Sequence, residues 1–171
     1  LHADTAARML AKAGLTVDAL ECGAHWPYHD ASSRALAAAG AQPSALHNNC
    51  SGKHAGFVCL GCHLSGGRDA AAYVRGYVTP DHPVMREVTA AIQAATGYDL
   101  ARTARGTDGC SIPTYAIPLR HLAQAFARVA TGRGLSDGHA RAARRLRAVV
   151  AKAFCHVAVD GRFDTTVMSL L

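Results

Sequence analysis

Leu46-His47-Asn48-Asn49-Cys50-Ser51-Gly52-Lys53-His54-Ala55-Gly56-Phe57 places two imidazoles, two amides, a thiol, a hydroxyl and an ammonium within twelve residues. Two glycines let the backbone approach other groups closely. Read as a turn that becomes a helix after Asn49, the stretch sets Cys50, Lys53 and His54 on one face, since residues three and four apart are neighbours on a helix. A lysine one turn from a thiol favours the thiolate, the form that attacks electrophiles or binds metal. The plainer reading is a glycine-containing loop leading into a buried helix, with Cys50 a small apolar residue and Lys53 solvated. Burial of so many polar groups needs many partners, which weighs toward a site.

Around this stretch, half of the 171 residues are apolar, enough for a sizeable core. Aromatics are only 6%, and alanine supplies much of the apolar content, which favours closely packed helices over an aromatic-rich sandwich. The expected class is α+β, predominantly helical. The net charge of +6 and the pI of about 9.2 are mild, and the excess is concentrated near Arg141, Arg144, Arg145 and Arg147. With no aromatics interleaved there to stack on bases, a solvated helix face is expected and no nucleic-acid partner. No apolar run approaches the roughly twenty residues that span a bilayer, and no basic start precedes an apolar signal segment, so no membrane partner is expected. The six cysteines are spread through a chain too long to need staples, which points to a reducing cytoplasm with free or liganding thiols. The chain opens at Leu1 and stops at Leu171 straight after an apolar run, which reads as a piece of a longer protein: a single partial domain over residues 1–171.

Taken in order, Asp4 or Thr5 is expected to cap a first helix with Ala6, Met9, Leu10 and Ala13 on its apolar side and Gly14 past its end. Trp26, between His25 and Pro27, is expected to anchor a loop on the core. Ser32 or Ser33 opens a second helix through Ala39, and the central stretch continues as helix to His63. Asp69 caps a helix through Val74 to Tyr77. Pro83 stands at the start of a helix in which Val84, Met85, Val88, Ile92 and Ala95 recur at spacings of three and four, closed by Gly97. A short strand fits within Tyr98–Thr107. Pro118 starts a helix whose Leu119, Leu122, Ala123, Phe126 and Val129 form one apolar stripe before Gly132. Ser136 or Asp137 caps a long helix that buries Ala143, Leu146, Val150, Phe154 and Val157 while its arginines face water. Asp160-Gly161 marks a turn, and residues 162–171 fit an extended segment lacking its partner.

Gly106-Thr107-Asp108-Gly109-Cys110-Ser111-Ile112-Pro113 is a second dense polar stretch, with two glycines bracketing an acidic residue in a tight turn. Cys50 and Cys110 each sit in a glycine-containing turn rather than on a core stripe. Brought together, two thiolates with Lys53 or an imidazole suit a soft metal such as zinc. A lysine ligand must be neutral, which coordination and burial both favour. Asp108 could then orient a metal-bound water or bind a substrate amine. Cys59-Leu60-Gly61-Cys62-His63 matches the pattern for covalent haem attachment, the alternative being a helix whose thiols pack as small apolar groups. As half of a zinc site, Cys59 and Cys62 lack a second pair at suitable spacing.

The segments Leu46–Gly56, Asp81-His82-Pro83 and Gly106–Leu119 resemble the signature segments of the class 3, rhizobial-type L-asparaginases, the asparaginase II family. Glu21-Cys22-Gly23 with His25-Trp26-Pro27, and Gly161-Arg162-Phe163-Asp164-Thr165, are similar too, so the resemblance runs nearly end to end. It implies hydrolysis of L-asparagine to aspartate and ammonia in a serine β-lactamase/glutaminase-like fold, here incomplete at both ends. It maps a Zn2+ site onto Cys50, Lys53 and Cys110, with His54 and Asp108 lining the active site as substrate-binding residues. The family chemistry uses serine–lysine pairs, in which a neutral lysine accepts the serine proton. None of those pairs is matched here: the first two serines fall upstream of Leu1 and a later lysine beyond Leu171, while Ser51 and Ser111 correspond to neither nucleophile. No catalytic residue is therefore assigned within the segment, and the isolated chain is expected to be inactive. Met85 replaces the glutamine common after His-Pro-x, and Cys59 and Cys62 are not family features. The resemblance further implies a homodimer at full length. The alternatives are a non-catalytic fragment or degraded relative, a haem or redox protein using Cys59, Cys62 and His63, and a basic nucleic-acid module using Arg144 and Arg145.

Overall fold

A computed structural model describes residues 1–159 and 161–170; Asp160 of the expected Asp160-Gly161 turn lies outside the described residues, as does Leu171. The described residues are mostly helical with one two-stranded antiparallel sheet, the α+β class expected. They divide into two compact units, the first formed by Leu1–Val88 with Ala104–Tyr115 and the second by Thr89–Thr103 with Ala116–Leu171.

The first unit holds the two polar turns. Its helix α1 (His2–Lys12) starts earlier than the expected caps, which puts Asp4 in the first turn, where a carboxylate complements the helix dipole. Ala6 and Leu10, spaced at four residues, are buried, and α1 packs on α3 (Ser51–Leu64). Between them, α2 (Asp30–Ala38) starts two residues ahead of Ser32, whose hydroxyl meets His29 Nδ1 at 2.9 Å instead of capping. Asp69 caps α4 (Ala70–Val74) as expected, accepting from the Ala71 and Ala72 N–H groups at 3.0 and 3.2 Å. Gly76 then turns the chain at φ +75°, so Tyr77 leaves the helix and enters the core. Helix α5 (Pro83–Thr96) begins at its proline, with Val84 and Met85 fully buried.

One glycine explains how closely these pieces approach. A Cβ on Gly61 would lie 2.7 Å from Val74 Cγ1 and 3.2 Å from Val84 Cγ2. No larger residue fits between α3 and its neighbours without displacing them. Cys59 and Cys62 stand one turn apart on α3, both half-buried; Cys62 packs on the core, and the Cys59 thiol lies 3.9 Å from the Met9 carbonyl oxygen. Strands β1 (Arg105–Thr107) and β2 (Pro113–Tyr115) pair antiparallel with Gly106 opposite Thr114, and the Asp108–Ile112 turn joins them. Trp26 does not anchor on the core: it is 41% exposed, in a loop where His25 stacks instead on Tyr28 at 4.6 Å between ring centres.

In the second unit, α6 (Leu119–Thr131) ends at Gly132, φ +76°, and packs on α7 (Asp137–Lys152), which Ser136 caps. The Arg128 guanidinium donates to the Ala94 and Ala95 carbonyls, each at 3.1 Å, and so satisfies the open C-terminal end of α5. The core here is small. Leu119 and Phe126 are about four-fifths exposed and Leu146, Val150 and Val157 are exposed too, against the buried stripes their spacing implies; of the expected α7 contacts only Ala143 is buried. Apolar periodicity records which side of a helix is sticky but not what covers it. Residues after Gly161 also depart from expectation, forming α8 (Phe163–Met168) rather than an extended segment, with Thr165 buried and donating to the Val159 carbonyl at 3.0 Å.

Candidate active site

The turn ahead of α3 is held by its two amides. Asn48 is buried; its Nδ2 donates to the Cys22 and Gly23 carbonyls at 2.7 and 3.3 Å, and its Oδ1 accepts from the Cys50 N–H at 2.8 Å. The Asn49 N–H donates to His25 Nε2 at 3.1 Å, which leaves Nδ1 as the protonated nitrogen, donating to the Trp26 carbonyl at 2.7 Å. These bonds tie the 21–27 segment to the turn and set Cys50 at the N-cap of α3, with Lys53 in its first turn.

The second turn is built on one carboxylate. Asp108 Oδ1 accepts from the N–H groups of Cys110 and Ile112 at 2.9 and 3.2 Å, while the Asp108 N–H donates to the Ile112 carbonyl at 3.0 Å. Ser111 adopts φ +74°, a left-handed conformation that costs a non-glycine residue about 1–2 kcal/mol. The neighbouring hydrogen bonds offset that strain, and the turn they close keeps Cys110 buried.

Although more than fifty residues apart in sequence, the two turns meet. Lys53 Nζ lies 3.1 Å from Cys110 Sγ and 3.5 Å from Asp108 Oδ2, and the Cys110 thiol lies 3.0 and 3.2 Å from the two Asp108 carboxylate oxygens. The Cys50 side chain lies near enough to bear on the protonation of both Cys110 and Lys53. Lys53, Asp108 and Cys110 thus form one contiguous group of amine, carboxylate and thiol, with the Cys50 thiol nearby. Burial and then the Asp108 hydrogen bond push the Cys110 thiol up to about 11, with Lys53 pulling the other way. For Asp108, burial opposes ionisation, but hydrogen bonds from the Cys110 side chain and from the Cys110 and Ile112 backbone, with Lys53 nearby, hold it down at about 2. Burial likewise disfavours the Lys53 ammonium, yet the bond to Cys110 and the charges of Cys50, Cys110 and Asp108 outweigh it and keep the amine protonated. The ground state is therefore a charged lysine, a neutral Cys110 thiol and a carboxylate.

Behind this group lies a buried aromatic pair. His54 is fully buried with its Nδ1 2.5 Å from the Tyr77 hydroxyl, which also accepts from the Glu21 N–H at 2.9 Å. Burial, and then the Lys53 charge, lower His54 to about 4, so it is neutral at physiological pH. Burial pushes Tyr77 well above its usual range. The Nε2 of His54 is also buried and, among the described residues, meets no hydrogen-bond partner. Tyr77, Glu21 and Asn48 support the site without having been assigned a role from sequence. Asn48 sits where an amide can cap a helix, but nothing in the spacing of Tyr77 or Glu21 reveals a contact across 56 residues.

Among the described residues, no group of three or more histidine, cysteine, aspartate or glutamate side chains is arranged to hold a metal ion, no disulfide forms, and no helix is long and apolar enough to cross a membrane. The elements and the cluster define a mostly helical α+β protein with a polar site built from two distant turns. The profile of the L-asparaginase II family matches residues 1–171, and the chain belongs to that family. Membership carries, at the level of the family, amide hydrolysis on a small-molecule substrate, L-asparagine. Comparison with curated proteins gives no significant match.

Proposed function

We propose that this chain is an internal segment of an L-asparaginase, with an incomplete serine β-lactamase/glutaminase-like fold, that holds the substrate and a zinc ion while serine–lysine pairs outside it cleave the amide. The observation that carries this reading is the convergence of Cys50, Lys53, Asp108 and Cys110 from two separate turns. The donor set suits the ion: two thiols and an amine are soft to borderline ligands of the kind zinc accepts. Bound there, zinc would supply a fixed positive charge that helps place the substrate.

The protein's own groups do the rest. Cys50, Cys110 and Lys53 must each give up a proton to become ligands, so zinc binding releases protons to solvent, while Asp108, in contact with Cys110 and Lys53, holds those two side chains in place. With its carboxylate ionised, Asp108 is also suited to orient the substrate's ammonium, and the family resemblance gives His54, next to Lys53, a substrate-binding role as well. The exposed apolar stripe of α6 offers surface for the homodimer we expect at full length, and we place the protein in the cytoplasm.

Elemental analysis tests the metal. Zinc is expected to co-purify with the wild-type chain, to fall to background in Cys50→Ala and Cys110→Ala, and to be unchanged in Cys59→Ala, whose thiol lies against Met9 rather than in the cluster. Zinc retained by both cluster variants would overturn the assignment. An ammonia-release assay with L-asparagine is expected to show negligible turnover by this chain alone; normal turnover would mean that the nucleophile lies within it.

A further inference from the structure

The unpartnered nitrogen of His54 is best understood through Tyr77. A phenolic hydroxyl has one hydrogen and can accept two. At Tyr77 the hydroxyl accepts from the Glu21 N–H at 2.9 Å and faces His54 Nδ1 at 2.5 Å, and both side chains are fully buried. If Nδ1 carried the imidazole proton, the hydroxyl would accept from both neighbours. The phenolic hydrogen and the Nε2 lone pair would then both be buried without partners. If instead Tyr77 donates to Nδ1, every group is satisfied but one, the Nε2–H. Buried unsatisfied groups are costly, so the second arrangement wins.

Glu21 makes this arrangement rigid. Its carboxylate accepts from the Gly76 N–H at 2.7 Å while its own N–H donates to the Tyr77 hydroxyl, so it grips the chain on both sides of the Tyr77 Cα. The phenolic oxygen cannot move away from His54 without leaving the Glu21 N–H unpaired. The Phe57 and Tyr77 rings, edge-on to the imidazole at 5.7 and 5.5 Å between centres, pack against it.

We infer that Tyr77 is a positioning residue that fixes His54 in its Nε2–H tautomer, so that His54 meets the substrate as a hydrogen-bond donor to an oxygen and not as a proton acceptor. The tautomer follows from the hydrogen-bond count alone; the role toward substrate rests on the asparaginase reading above. The acceptor is a carbonyl or carboxylate oxygen, and L-asparagine carries both.

The test is heteronuclear NMR of the full chain labelled with 15N-histidine, with His54 assigned by the signal lost in His54→Gln. At neutral pH the ring correlations are expected to show protonated Nε2 and unprotonated Nδ1. In Tyr77→Phe the lock is gone, and Nδ1–H is expected to become a substantial population. A wild-type Nδ1–H form, or a folded Tyr77→Phe with an unchanged tautomer, overturns the inference; if Tyr77→Phe fails to fold, the wild-type spectrum still decides. Titration with L-asparagine and with asparaginamide, which lacks the α-carboxylate, tests the partner. A shift of the Nε2–H signal with both assigns the side-chain carbonyl, and a shift with L-asparagine alone assigns the α-carboxylate. No shift with either would defeat the substrate-binding reading while leaving the tautomer result intact.

Discussion

Metal-free protein is expected to lose on the order of 3 kcal/mol of folding stability as the pH falls from about 6.5 to about 4, with the loss levelling off below that range. The cause is His54, whose pKa is lowered from the ordinary 6.5 to about 4 by burial and then by Lys53. A histidine lowered in the folded state is bound to a proton more readily by the unfolded chain. Its contribution is therefore complete above the unfolded value of 6.5 and disappears as the pH descends through the folded value. Each pH unit of difference is worth about 1.4 kcal/mol, which gives the magnitude. Protonating Nδ1 would also remove the acceptor of the Tyr77 hydroxyl. Urea unfolding midpoints between pH 7 and pH 4, in chelator, measure the effect, and His54→Gln should flatten that part of the curve. A wild-type midpoint constant over this window would contradict the assigned cause. Asp108 acts in a separate, more acidic window: its carboxyl is lowered to about 2, so its contribution is present above the ordinary carboxylate range and is lost as the pH falls through about 2.

Replacing Asp108 by alanine is expected to cost about 2–4 kcal/mol, more than its partly exposed position suggests. The substitution strips acceptors from the N–H groups of Cys110 and Ile112 and from the Cys110 thiol, and each buried group left unpaired costs about 1–3 kcal/mol. It also removes the side-chain bonds to the residues on either side of Ser111, which sits at φ +74°. Asp108→Asn keeps a carbonyl oxygen for the two N–H groups but loses the charge beside Lys53, so about 1 kcal/mol is expected. In both variants zinc affinity is expected to fall by about 10- to 100-fold, the usual effect of removing a group that orients a metal ligand. Thermal melts and competition with a chromophoric chelator separate the two effects. Asp108→Asn with wild-type zinc affinity would detach the carboxylate from the proposed metal site.

Much of the helical frame could be read from local chemistry. Pro83 and Gly97 bracket α5, Asp69 caps α4, and Ser136 caps α7, because proline, glycine and short polar side chains satisfy or terminate backbone groups within one turn of themselves. The α6 and α7 stripes were legible as stripes but not as surface. Burial depends on what lies opposite, and Leu119, Phe126 and Leu146 are left exposed. Residues 163–168 mislead for a related reason: a segment with no strong caps takes its form from its neighbours, here through the bond from Thr165 to Val159.

By itself the sequence determined which groups this protein can use: two glycine-bearing turns carrying thiols, a lysine one helical turn from Cys50, and motifs specific enough to name the family. Only the tertiary structure decided that Lys53, Asp108 and Cys110 touch, that Cys110 is a neutral thiol beside a charged amine, and that Tyr77 reaches His54 with Glu21 behind it. The physical reason is range. Capping, turn formation and periodicity act over a few residues and leave their mark in the order of the chain, whereas proton positions and ligand sets are fixed by desolvation and contact between groups that the chain order keeps far apart.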